Sequence, residues 1–322
     1  MRKIFILLIT ACFALNAQTE IKKGEDGEEP RFYIFSKFPV NVVHLYDFTE
    51  ETKVSRKYSD SSTVDYTRYL NYDISLHAPS PPDEEEFQNI LVSVDSLIYR
   101  FKDSDDSVSY NSQDDEAVPP FNILDYEQSG VPLGKEYELR YNPYYEVVDV
   151  TGEQLEFDIN YIKDPEKGMN DTLRRFVWLN RLSDKHLSFM ADIRKGLFPD
   201  FKAPEDTSWK ADIYLELDGI PLGDSVRVHF KEYTVRNYLL EGESIGIIPI
   251  KASAVVHNIK SKSEVLDAKG DIKYEMKVSP RGVVNLLKID ADVTFKMKIE
   301  KEVFHQRVQS VYTWELGKMY KW

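Results

Sequence analysis

The spacing most suggestive of chemistry is Gly242-Glu243-Ser244-Ile245-Gly246, a G-x-S-x-G match. In a nucleophile elbow the serine stands on a strained turn between a strand and a helix, so that its hydroxyl projects from the turn. Here Ile247-Ile248-Pro249-Ile250 follows. A proline in that place opposes a helix, and apolar alternation then runs on to Val256. The motif therefore reads as a glycine-flanked hairpin turn. His257 and His305 lie downstream, but no spacing ties either to Ser244. A serine hydrolase using Ser244 is the last of three functional readings.

Metal chemistry has no local signature. His44, His77, His186, His229, His257 and His305 show none of the H-x-H, H-x-x-x-H or H-E-x-x-H spacings, and most read as surface histidines. His229, between Val228 and Phe230, reads as lying on the polar face of a strand. Asp103-Ser104-Asp105-Asp106 and Gln113-Asp114-Asp115-Glu116 are rich in oxygen ligands. A calcium loop begun at Asp103 fails at its sixth and twelfth positions, so a solvated acidic loop over 103–116 is expected. Glu156 and Asp158 would share one face if that stretch is extended, which is commonplace in sheets. Asn170-Asp171-Thr172 serves as a helix cap outside a eukaryotic secretory route. No catalytic residue, metal or cofactor is expected.

Tyrosine supplies a different possibility. Of 20 tyrosines, Tyr66, Tyr69 and Tyr72 fall together, as do Tyr137, Tyr141, Tyr144 and Tyr145. A ring with a wet end suits a ligand surface, but it also suits cross-strand pairing within a sheet, and pairing is the reading preferred.

The elements that must position these residues are mostly strands. Stretches 40–48, 64–78, 90–101, 137–141 and 145–150 carry β-formers or period-two alternation. Pro79-Ser80-Pro81-Pro82 is a loop. Asp171–Lys195 is the one convincing helical region, read as two consecutive helices capped by Asp171 and Ser183-Asp184 and stopped at Lys195-Gly196. Alternation is longest in the C-terminal third. Trp209, Ala211, Ile213, Leu215 and Leu217 take every second place, with Lys210, Asp212, Tyr214, Glu216 and Asp218 on the wet side. Ile248–Val256 and Ile272–Val278 repeat it, and Leu287, Ile289, Ala291, Val293, Phe295, Met297 and Ile299 extend it past the Pro280-Arg281-Gly282 turn. One greasy face and one charged face mean an antiparallel sheet with one side in water. Such long strands twist and curl around something, and the helices of 171–195 are the filler. The fold expected is α+β, mostly β: a long antiparallel curved sheet or half-barrel packed on a short central helical segment.

Composition narrows the partners. The chain has 322 residues, 42% hydrophobic and 13% aromatic, enough for a core. Its net charge of −14 disfavours nucleic acid and anionic membranes. Met1-Arg2-Lys3, the apolar run Ile4–Leu15 and Asn16-Ala17-Gln18 have the form of a secretory signal, too short to span a membrane. Cleavage after Ala17 is expected over acylation of Cys12, the single cysteine, although Ile9-Thr10-Ala11-Cys12 loosely matches a lipoprotein box. The expected organisation is a signal at 1–17, a flexible arm at 18–31, a β-rich half at 32–165, helices at 166–200 and a second β-rich half at 201–322. The two halves are compatible with one continuous domain.

The Asn16-Ala17-Gln18 exit, Tyr145–Gly152, Phe198-Pro199-Asp200-Phe201 and Asp206-Thr207-Ser208-Trp209 resemble exported β-rich families of unknown function in Bacteroidota. The helix-plus-curved-sheet pattern also looks like periplasmic lipoprotein carriers, at the level of fold. The resemblance implies export to the periplasm or outer envelope and no assigned catalysis. The first functional expectation is a non-enzymatic envelope module that binds or carries an apolar or amphipathic ligand, such as a lipid. Trp209, Ile213, Leu215, Leu287, Ile289, Val293 and Phe295 are the candidate lining. The second is a structural protein docking through its tyrosine-rich sheet to another envelope component.

Overall fold

The computed structural model describes residues 31–321 apart from 33–34, 122, 165, 200–202, 205–207, 234–236, 258 and 260. The expected signal at 1–17, Cys12 within it and the arm up to residue 30 lie outside the described residues. In chain order the first elements are β1 (Arg31–Phe32), β2 (Val42–Lys57), β3 (Thr63–His77), β4 (Gln88–Lys102) and β5 (Ser107–Asn111). Then come α1 (Leu124–Gly130), β6 (Glu136–Tyr141), β7 (Val147–Thr151), α2 (Glu153–Lys163), α3 (Thr172–Arg181) and α4 (Asp184–Ala191). The C-terminal part holds β8 (Ala203–Pro204), β9 (Ser208–Leu217), β10 (Ile220–Tyr233), β11 (Tyr238–Pro249), β12 (Ser253–Ala254), β13 (Ser263–Val278), β14 (Val284–Ile299) and β15 (Glu302–Lys321).

The fold is mostly β, with one large, curved, unclosed antiparallel sheet. Its strands run β7-β6-β4-β3-β2-β15-β14-β13-β11-β10-β9, with β5 appended to β4 and β12 to β13. The β-rich stretches on either side of the helices meet in the middle, where β2 pairs with β15 from Val42↔Lys321 to Lys57↔His305. In β14 the inward Leu287, Ile289, Ala291, Val293, Phe295 and Met297 are buried, while Asp290, Thr294 and Lys296 face water. That is the one-sided burial that alternation demands.

Contacts between strands far apart in the sheet show that it rolls on itself. Tyr66 on β3 donates to Asp218 in the β9–β10 turn, at 2.5 Å. Gln306 on β15 donates to the same carboxylate at 3.0 Å. The helices fill the roll, and inward tyrosines bind carbonyls of the helices and of β9. Tyr72 reaches Ser129 O on α1 (2.5 Å), Tyr137 reaches Leu187 O on α4 (3.1 Å) and Tyr312 reaches Glu216 O (2.8 Å). A phenol tip that hydrogen-bonds can be buried without penalty, so the abundant tyrosines fasten the sheet to its contents.

Asp171 and Ser183 cap α3 and α4 as expected: Asp171 accepts from Leu173 N and Arg174 N, and Ser183 from His186 N. Four readings change. Glu153–Lys163 is helical, so Glu156 and Asp158 do not share a strand face; Leu155, Ile159 and Ile162, at i, i+4 and i+7, supply the inward stripe. The acidic stretch 103–116 contains strand β5. Alternation through 248–256 yields only the two-residue β12, because β11 ends at Pro249. Glu216 and Asp218 are buried rather than wet, because the β9–β10 hairpin is covered on its second face by Gln128, Arg181 and His186.

Candidate functional site

The G-x-S-x-G segment lies inside β11 and not in a turn. Gly242 is there because a Cβ would stand 2.9 Å from Val226 Cγ1 and 3.1 Å from Tyr274 Cβ. Ser244 donates to Asp224 Oδ1 at 2.5 Å, and Tyr274 donates to Asp224 Oδ2 at 2.7 Å. Burial pushes the Asp224 carboxyl up, against the pull of those two donors. No strand-to-helix corner lifts the serine hydroxyl. His257 is occupied elsewhere, bonding Asp103 at 3.0 Å and packing on Tyr66 and Phe101. Among the described residues no group of three His, Cys, Asp or Glu could hold a metal.

The histidines are mostly not on the surface. His305 is exposed, but His44 and His186 are buried, and His77, His229 and His257 are half-buried. His186 bonds Glu216 at 2.9 Å, and Arg181 bonds the same oxygen at 3.0 Å. Burial would raise Glu216, but His186 and Arg181 outweigh it and hold the carboxyl well below the usual range. His44 packs at a tilt against Phe38, 5.3 Å between ring centroids, and neither ring nitrogen has a hydrogen-bond partner. Burial, helped by the nearby Arg194 charge, lowers its pKa to about 4.

The centre of the roll is ionic. Arg68 on β3 contacts Glu50 (2.6 Å), Asp125 (2.8 Å) and Asp218 (2.9 Å), all of them buried. One guanidinium serves three carboxylates, so burial and carboxylate repulsion push Asp218 up despite Arg68. Beside this cluster one space of about 30 Å³ is bordered by Phe48, Arg68, Tyr72, His186 and Tyr312, and a second of about 240 Å³ lies between α3 and the β9–β10 hairpin. The first holds a water, and both fall below the ~300 Å³ at which small-molecule sites begin.

Space for a ligand is found at the gap in the sheet. The edges β7 and β9 both pack against α4. They border a cleft of about 850 Å³, lined by Val147–Val150 on one side and Trp209–Tyr214 on the other. Asp184, Lys185, Ser188, Phe189 and Asp192 form the floor, and Lys195 and Phe198 lie at one end. Lys195 and Gly196 both take positive φ, turning the chain back after α4. The Lys195 ammonium thereby donates to the Phe189 carbonyl and sits 4.6 Å over the Phe189 ring and 4.8 Å over Trp314. A cation at a helix C-terminus complements the helix dipole. Burial, against the attraction of Asp192 and Glu216, lowers this lysine to about 8.

Of the seven residues expected to line a ligand site, Trp209 and Ile213 reach this cleft. Leu215, Leu287, Ile289, Val293 and Phe295 are fully buried in the core. The remaining borders, on β7, α4 and Lys195–Pro199, come from elements whose adjacency no local pattern encodes. A depression of the same volume on the outer face is bordered by Lys53, Arg100, Lys102, Asp290 and Asp292, the solvated side of the sheet.

No family model matches the chain, and no curated protein matches it. Among solved structures, one described as lipid–protein interactions in lipovitellin is similar over 88% of this chain at 8% identity and a TM-score of 0.45. The chain spans 26% of that lipovitellin chain. OpdQ of Pseudomonas aeruginosa is similar over 84% of this chain and 98% of its own, at 8% identity and a TM-score of 0.21. A domain of Vibrio parahaemolyticus named for outer membrane lipoprotein sorting is similar over 85% of each chain, at 6% identity and a TM-score of 0.14.

Proposed function

We propose that the protein is a non-enzymatic binding module of the bacterial envelope that holds an amphipathic ligand in the cleft between β7 and β9. The observation that carries this reading is the cleft itself. Its volume of about 850 Å³ falls within the range of small-molecule and cofactor sites. Apolar Trp209, Ile213 and Phe198 border it together with charged Lys185, Lys210 and Asp212, so one ligand meets both characters. The filled interior favours this seat over the inside of the roll. Against a serine hydrolase using Ser244 stands its hydroxyl, which is committed to Asp224 within a strand. Export rests on the character of Met1–Ala17, and among the described residues no helix is long and apolar enough to cross a membrane.

Protein purified from its native envelope, denatured and analysed by mass spectrometry for small molecules and peptides alike, is expected to release one ligand in near-stoichiometric amount. Photo-crosslinking before denaturation should map it to Val148, Lys185 or Lys210. Ligand-free protein with no saturable crosslink at the cleft would sink the reading. A second reading, docking to another envelope component, is favoured by α2. Its Phe157 and Tyr161 stand one turn apart and are 65% and 54% exposed.

A further inference from the structure

We infer that the cleft takes an extended polypeptide strand, which pairs with both free edges and closes the open sheet. The inference rests on the binding reading above and names the class of ligand. It begins with the β9–β10 turn. Asp218 and Gly219 have φ of 53° and 72°, the mirror-image turn of a two-residue hairpin. In such a hairpin the residues flanking the turn, here Leu217 and Ile220, form a hydrogen-bonded pair, and such pairs recur at every second position. The β9–β10 register runs from Leu217↔Ile220 to Ser208↔His229 without a shift. Trp209, Ala211, Ile213 and Leu215 therefore spend their amides and carbonyls on β10. Those of Lys210, Asp212 and Tyr214 point the other way, to the edge that no strand covers among the described residues. These three residues border the cleft.

Strand direction supplies the second part. From β7 to β9 the path holds eleven strands, each antiparallel to the next. An odd number makes the two edges run the same way. One added strand of opposite direction is then antiparallel to both, and two added strands would not be. Both edges contact α4, which places them on either side of one helix. An apolar chain would leave the Lys210, Asp212 and Tyr214 amides without partners, whereas a peptide backbone satisfies them. Side chains alternate across the added strand. Those pointing inward would lie beside Trp209, Ile213 and Phe189, and those pointing outward beside Lys210 and Asp212. The ligand is thus a segment of about five to seven residues alternating apolar and polar side chains.

The test uses the whole protein and a panel of acetylated, amidated heptapeptides that alternate Val, Phe or Tyr with Thr between terminal lysines. At least one peptide is expected to bind saturably. It should slow hydrogen exchange of the Lys210, Asp212 and Tyr214 amides tenfold or more, together with amides of Val147–Val150. N-methylation at alternate residues of that peptide should weaken binding at least tenfold. So should Lys210→Pro, which removes one edge donor and leaves the β10 ladder intact, with amides of β14 reporting that the variant is folded. Should no peptide bind, or should the N-methylated peptide bind equally well, the inference is overturned. A native ligand that proves to be a non-peptide amphiphile crosslinked at the cleft overturns it too, while leaving the binding reading in place.

Discussion

Trp314 on β15 donates its indole N–H to the carbonyl of Met190 in the last turn of α4, 2.6 Å away. The carbonyls of a helix's last turn have no partner within the helix. Trp314, from the middle of the sheet, takes one of them, and Lys195, in the turn after α4, takes that of Phe189. The floor of the cleft is therefore bolted to the centre of the sheet. Trp314→Phe keeps most of the ring packing on Phe48, 4.6 Å between centroids, but leaves the Met190 carbonyl buried and unmet. A loss of about 2–3 kcal/mol is expected by urea denaturation. A loss below about 0.5 kcal/mol would mean that the bond contributes little.

Arg68 gives the largest single effect. Removing a buried cation leaves its carboxylates uncompensated, a change of about 3–5 kcal/mol. Arg68→Ala strands Glu50, Asp125 and Asp218 together. Those carboxylates are relieved by protonation, so the deficit relative to the parent should be smaller at pH 5 than at pH 8. Denaturant midpoints at the two pH values measure it, and an equal deficit at both contradicts the assignment.

His44 makes stability depend on pH in the opposite sense from an ion-paired histidine. Its folded pKa of about 4 lies below the ordinary value of 6.5, so between these values the unfolded chain binds more protons. The contribution is present above pH 6.5 and is lost as the pH falls toward 4. The full loss is at most roughly 3 kcal/mol. His44→Phe should flatten the stability profile across this window. An unchanged slope would show that another group titrates there.

Gly219 tests the hairpin. A Cβ there would stand 2.5 Å from Arg181 Nη2 and 3.1 Å from Gln128 Oε1, at a φ of 72°. Gly219→Ala should cost about 2–3 kcal/mol, through left-handed strain and displacement of Arg181 from Glu216. Gly246→Ala, with nothing within 4 Å of its Cβ, should cost under about 1 kcal/mol. Thermal melts of the two variants decide it, and equal costs would contradict the packing.

Much of the sheet could be read from residue order. Leu287–Ile299 alternates because one side of β14 is dry, and water imposes that pattern locally. Local pattern fails where a third layer intervenes. Glu216 and Asp218 alternate like surface residues, yet the helices cover Glu216 and β3 and β15 cover Asp218, and only the Asp218-Gly219 pair signals the turn. Gly242 looks like a turn residue because a glycine demanded by close packing has the same letter as one demanded by conformation. The cleft was legible only in Trp209 and Ile213. Its other borders arise from which strands end up unpaired, a property of the whole sheet's order rather than of any window of sequence.

The pairing of β2 with β15 has a consequence for how the molecule is made. Val54 meets Val308 across a separation of more than two hundred positions, and this seam lies in the middle of the sheet. Loop closure on that scale is slow, and nothing nearer in the chain substitutes for it. A nascent polypeptide emerging from the ribosome would carry a ribbon of β2, β3 and β4 whose β2 edge stays open until β15 has been synthesised. The native state is thus reached only after translation has passed this strand, and a chaperone able to shield that ribbon would govern the yield.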